Sequence, residues 1–245
     1  MTGTQSTGAL AAVATATGTS GITGDAAYVH TLADGTVAAC VVDGIGHSPR
    51  ITARAALLAE VGARIAATRG PLHGLLAAAE LISDPGPEED AVAVAAVAHP
   101  GRGQFSIAWT GDCAAWSYNP DTGEVAPLTT DHTMGEFLRQ VHPAGPPARA
   151  EHYDEWVRVS LARSSIATVR ETTAATRLVV LASDGIHKPL GPDRFATLVR
   201  SFGDADLQRL ADGLLQGALA RAGHPYQRGE RDDATVAVLA LPEGR

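Results

Sequence analysis

Two short segments, Val41-Val42-Asp43-Gly44 and Ala182-Ser183-Asp184-Gly185, share one design: an apolar run that ends abruptly in Asp-Gly. Each puts a carboxylate at the tip of what reads as a buried strand, followed by a glycine that lets the backbone turn or crowd a ligand. A third run, Phe105 to Thr110, ends in Gly111-Asp112, and a fourth, Ala234 to Leu241, is preceded by Asp232-Asp233. Taken singly, Asp-Gly after a strand is an ordinary turn signal and Asp232-Asp233 an ordinary solvated loop. Aspartates recurring at strand ends are what a divalent-cation site needs, because hard cations take oxygen ligands held on rigid elements.

The remaining periodicities place these tips. Leu10 to Thr17, Ala26 to Thr31 and Thr36 to Val42 read as strands, the latter two joined by a Leu32-Ala33-Asp34-Gly35 turn. Ile51, Ala55, Leu58, Gly62 and Ile65 share one helical face. Leu72, Leu75, Leu76, Ala79 and Ile82 mark a second helix, opened by Pro71. After a Pro- and Glu-rich loop, Ser83 to Asp90, come strands at Ala91–Ala98, Gln104–Trp109, Cys113–Tyr118 and Glu124–Leu128, and a short helix at Thr133–Val141. From His142 to Thr176 no period is visible, and an irregular stretch of that length is usually functional. Arg177 to Ser183 returns to strand, helices follow at Phe195–Phe202 and Leu207–Ala218, and Ala234 to Leu241 closes the chain. Strands, a helix pair, more strands, a second helix pair and a last strand predict antiparallel sheets with each helix pair covering a sheet face.

A length of 245 residues suits one large domain, with Met1 to Gly8 expected to be a frayed tail. The net charge of −8 disfavours nucleic acid and anionic membrane as partners. Cys40 and Cys113 are too few for a disulfide framework and read as small buried hydrophobes. No basic leader precedes an apolar segment and no apolar run could span a bilayer, so the expectation is a cytoplasmic protein.

In order along the chain, Thr23-Gly24-Asp25, Val42-Asp43-Gly44-Ile45-Gly46-His47, Thr110-Gly111-Asp112, Leu128-Thr129-Thr130-Asp131-His132-Thr133, Ser183-Asp184-Gly185-Ile186 and Asp232-Asp233-Ala234-Thr235 resemble the bacterial metal-dependent serine/threonine protein phosphatases of type 2C, the PPM family. The resemblance implies an α+β fold, a four-layer α-β-β-α sandwich of two antiparallel sheets. It implies two Mn²⁺ or Mg²⁺ ions, with Asp43 bridging, the Gly44 carbonyl on one ion, Asp184 and Asp232 on the other, and Asp25 in support. Asp233 stands where the family often has Asn. Asp43 and Asp184 are then catalytic through metal, and His47 is a candidate general acid for the leaving alkoxide. His132 reads as structural, and the irregular His142–Thr176 stretch corresponds to the family's flap. The implied substrate is a phosphorylated protein; the oligomeric state stays open.

Three departures matter. Ser20 occupies the position, five before Asp25, where the family carries a phosphate-clamping Arg. Gly24 replaces an acidic or amide residue. Lys188, the sole lysine, stands four after Asp184, where the family often has an acid that shares a third metal with the residue equivalent to Asp112. Its ammonium is expected to lie where that cation would, paired with Asp112. These changes also allow an alternative: a catalytically weak or inactive phosphatase fold that regulates by binding a partner.

Overall fold

The structure is a computed structural model and describes residues 10–82, 90–203, 206–221 and 231–242. The expected tail, 1–8, and the loop from residue 83 to 89 lie outside the described residues. The strands are β1 (Leu10–Ala16), β2 (Asp25–Thr31), β3 (Val37–Gly44), β4 (Ala91–His99) and β5 (Gln104–Thr110), then β6 (Ala114–Asn119), β7 (Glu124–Pro127), β8 (Arg170–Ala174), β9 (Leu178–Ala182) and β10 (Ala234–Ala240). The helices are α1 (Pro49–Arg69), α2 (Pro71–Ala79), α3 (Met134–Val141), α4 (Pro147–Glu151), α5 (Asp184–Phe202) and α6 (Leu207–Leu219).

Val37 to Val42 and Ala91 to Ala98 are apolar at every position rather than alternately, because both of their faces are covered. They lie in one five-stranded antiparallel sheet, ordered β2-β3-β4-β5-β8, while the other is ordered β1-β10-β9-β6-β7. Val41, Val94, Ile107, Leu181 and Leu239 fill the space between the sheets. On the outer face of the first sheet, Cys40, Val42 and Ala93 pack against Leu58 of α1 and Leu75 of α2. On the outer face of the second, Val180, Val236 and Val238 meet Phe195, Leu210 and Leu214 of α5 and α6. Helices, sheet, sheet, helices: the expected sandwich. Both cysteines are buried and free, as small core residues.

The sequence signals for α1 work as expected. The Ser48 hydroxyl accepts from the Ile51 amide, Pro49 opens the first turn, and Ile51, Ala55, Leu58 and Gly62 are buried. Ile65 is only half-buried, and Ala66 takes its place inside. In the β2–β3 turn, the Gly35 amide donates to the Leu32 carbonyl at 3.0 Å.

Two elements depart from expectation. The stretch from His142 to Thr176 contains α4 and an edge strand, β8, which pairs with β5 from Phe105↔Ala174 to Trp109↔Arg170. Arg170-Glu171-Thr172-Thr173 lies exposed or half-exposed at the sheet edge, so no apolar alternation betrays it. The helix expected from Phe195 begins eleven residues earlier, at Asp184. Pro189, Gly191 and Pro192 disguise it, and Gly191, at φ 64°, breaks the helical path between two helical pieces. Among the described residues no helix is long and apolar enough to cross a membrane.

Candidate active site

Asp25 opens β2 directly opposite Asp43, which ends β3, so register alone places two carboxylates at one end of the first sheet. Asp112 follows β5 of the same sheet, on the crossover to β6 of the other. The second sheet delivers its own: Asp184 begins α5 where β9 stops, and Asp232 and Asp233 lead into β10. The seam between the sheets is closed by hydrogen bonds. Ser183 Oγ donates to Asp25 Oδ2 at 2.7 Å and accepts from the Thr235 amide at 2.9 Å. Asp233 accepts from the Gly18 and Gly24 amides at 2.7 and 2.6 Å. This fully committed Asp233 leaves Asp232, which is exposed, as the better ligand candidate of the pair.

The two Asp-Gly glycines serve close approach. Neither Gly44 nor Gly185 has a positive φ. A Cβ on Gly185 would run into the Asp233 carbonyl, and one on Gly24 would lie 2.8 Å from the Gly44 carbonyl oxygen. Glycine at position 24, which also lacks the family's side chain, is therefore demanded by the narrow gap between the β2 and β3 tips.

The electrostatics follow from this crowding. Burial, then the neighbouring Asp25 and Asp184, hold the Asp43 carboxyl well above the usual range. Burial pushes Asp25 up to about 8 against the opposing Ser183 hydrogen bond; partial desolvation on the cluster side of the otherwise exposed Asp232, and then Asp184, push that carboxyl to about 6. Asp184 behaves oppositely. Burial would raise it too, but the Lys188 ammonium and a hydrogen bond shared with Asp43 bring it below the ordinary value. Several carboxyl groups crowded at one place leave the cluster short of positive charge.

Lys188 supplies part of it. Its Nζ lies 2.7 Å from Asp112 Oδ2, 3.0 Å from Asp184 Oδ2 and 3.2 Å from Glu155 Oε2. Burial works against the ammonium, but these carboxylates outweigh it and keep Lys188 charged. The expected Lys188–Asp112 pair is present; the contacts to Asp184 and Glu155 had no sequence signal. His187, one residue earlier, bonds the Asp112 carbonyl through Nε2 at 2.9 Å.

His47 is half-exposed beside the cluster, its Nδ1 3.8 Å from Asp233 Oδ2. His132 is structural: its Nδ1 accepts from the Gly111 amide at 3.3 Å and its ring stacks on Trp109. Ser20 is exposed and its hydroxyl is spent locally, donating to the Ile22 carbonyl and accepting from the Ile22 amide.

Among the described residues no group of three His, Cys, Asp or Glu side chains stands as a ready metal cage. Lys188 occupies oxygens of Asp112 and Asp184 that a cation would take. The donor set nevertheless fits a hard divalent ion: carboxylates and a backbone carbonyl, all oxygen, crowded and short of positive charge.

No family model matches the sequence, and no curated protein matches it. Solved structures do. A serine/threonine phosphatase from S. agalactiae is similar at a TM-score of 0.77 and 16% identity, covering 95% of this chain and 99% of that one. A Mycobacterium tuberculosis serine/threonine phosphatase, PstP/Ppp, is similar at 0.72 and 17% identity, over 96% and 99%. RsbX, solved in complex with magnesium, is similar at 0.65 and 14% identity, over 95% of each chain. Over nearly its whole length, the chain has the fold of the bacterial serine/threonine phosphatases of the PPM type.

Proposed function

We propose that this chain is a metal-dependent phosphatase that removes phosphate from phosphoserine or phosphothreonine in a protein. The supporting observation is the group of carboxylates that Asp25, Asp43, Asp184 and Asp232 bring to the seam between the sheets, in a fold shared with serine/threonine phosphatases. Asp43, the Gly44 carbonyl, Asp184, Asp232 and Asp25 would hold Mn²⁺ or Mg²⁺. Metal held by these residues would supply a bound water of lowered pKa and positive charge for the phosphoryl oxygens, the main demand of a very slow hydrolysis.

The chain's own residues do the rest. Ser183 fixes Asp25, Asp233 fixes the Gly18–Gly24 loop, and the narrow β2–β3 gap holds the Gly44 carbonyl in place. His47, half-exposed at the rim, would give a proton to a departing alkoxide. The region from His142 to Thr176 borders the site through Glu155 and is the candidate determinant of substrate choice.

Hydrolysis of an aryl phosphate and of a phosphothreonine peptide, with Mn²⁺, Mg²⁺ or chelator, tests this reading. Activity that needs the ion and is lost in Asp184→Asn supports it; chelator-resistant activity, or full activity in Asp184→Asn, overturns the mechanism. A second reading, a weak or inactive phosphatase fold acting by partner binding, is favoured by Ser20 and by the ammonium lodged on Asp184. No turnover of either substrate together with intact Mn²⁺ binding would select it.

A further inference from the structure

We propose that Lys188 is a resident cation that takes the place of a metal ion on Asp112 and latches the segment carrying Glu155 onto the site. The proposal rests on the metal reading for the ion count but not for the latch.

The geometry is that of a built cation site rather than a surface pair. Asp112 and Asp184 are 4% and 8% exposed, and both direct Oδ2 at the same ammonium. Asp184 and Lys188 are four apart in the first turns of α5, so the helix itself aims the stem back over its own N-terminus. The crossover after β5 is held from the other side by His187 on the Asp112 carbonyl. Three Nζ protons meet three carboxylates, which completes the donor capacity of an ammonium. An additional cation on Asp112 would have to displace it or lie against it, and like charges at that spacing repel.

Glu155 makes the site more than local. Its segment is also tied to α3, where Met134 and Gly135 donate to the Trp156 and Tyr153 carbonyls, Arg158 donates to the His132 carbonyl and Arg139 pairs with Asp154 at 2.6 Å, and to the end of β5 through Thr110 Oγ1 on the Val159 carbonyl. The Lys188–Glu155 pair joins this segment to the carboxylate cluster. The Lys188 stem spans from α5 to Glu155.

Two measurements on the full chain, using Mn²⁺ alone as the ligand, decide the matter. In equilibrium dialysis, Lys188→Asp should bind one more Mn²⁺ per chain than the unmodified protein. In metal-free hydrogen exchange, Glu155→Gln and Lys188→Met should each speed the Met134, Gly135 and Arg158 amides, by roughly three- to tenfold. Lys188→Met removes the ammonium without adding another carboxylate, and Glu155→Gln leaves the ammonium in place, so the latch is read even if Lys188→Asp folds poorly. Equal Mn²⁺ counts would overturn the substitution for a metal, and unchanged exchange in both variants would overturn the latch. If neither protein binds Mn²⁺, the metal reading itself fails, and the exchange result still decides the latch.

Discussion

Ser183 gives its hydroxyl proton to Asp25 across the seam between the two sheets, at 2.7 Å and with both side chains buried. Ser183 stands at the N-cap of α5, yet its hydroxyl makes no capping bond there because Asp25 and the Thr235 amide claim it. Ser183→Ala therefore leaves two buried partners unsatisfied without emptying much volume. The expected cost is about 1–3 kcal/mol of stability, measured by urea denaturation. Mn²⁺ affinity should fall with it, since Asp25 loses its fixed orientation.

Buried carboxyls at Asp25, raised to about 8, and Asp43, also raised, imply a metal-free protein that resents alkaline pH. Between about pH 4 and 8 the folded chain keeps protons that the unfolded chain has released, so stability falls as pH rises through that window. Mn²⁺ replaces those protons and binds better as they leave. Thermal denaturation with and without Mn²⁺ should show a larger rise in Tm at pH 8 than at pH 5.5. Free ion at about a hundred times Kd contributes ~2.7 kcal/mol. An equal or smaller shift at pH 8 would contradict the arrangement.

His132 works in the opposite direction. Burial, then Arg170 and Arg158, lower its pKa to about 4, and its Nδ1 must be unprotonated to accept from Gly111. The unfolded chain binds a proton between about pH 6.5 and 4 that the folded chain refuses, so stability falls as pH drops through this range. One proton changes stability by at most ~1.4 kcal/mol per pH unit, and solvent at the ring edge reduces that. His132→Asn should flatten the acid limb of a stability–pH curve without moving the alkaline limb.

Ser20 offers a hydroxyl that its own turn consumes. If phosphate is the substrate group, Ser20→Arg should raise kcat/KM for an aryl phosphate by roughly ten- to a hundredfold, the worth of a charge-assisted bidentate contact of about 1.5–3 kcal/mol. A low-micromolar KM in the unmodified protein would mean that another arginine already holds the phosphate.

The sandwich was legible because strands covered on both faces, such as Val37–Val42, must be apolar throughout, and because Asp-Gly punctuated them. The edge strand β8 was not, since threonines at an exposed edge carry no burial pattern. The first turns of α5 were hidden by Pro189 and Gly191, residues that signal an end to a helix but here mark a break within one. In the site, the strand-end aspartates could be anticipated from their recurrence along the chain, and the Lys188–Asp112 pair from the family resemblance. Glu155 could not, because the segment that carries it has no period to locate it. Likewise Gly185 looked like a turn residue, whereas the missing Cβ answers to Asp233, a residue brought near only by folding.

The bond from the Gly24 amide to Asp233 joins positions 209 residues apart, and that from Ser183 to Asp25 joins positions 158 apart. Neither sheet alone contains the site. Contacts of such sequence separation form late and slowly, after the loops between them have been closed. Any ion that needs oxygens from both sheets is thus a reporter of the finished molecule: a nascent or half-assembled chain can own a complete sheet and still be blind to it. Ion capture becomes the chain's own certificate of assembly, and the rate at which refolding protein acquires Mn²⁺ should track the docking of the two sheets rather than the formation of either.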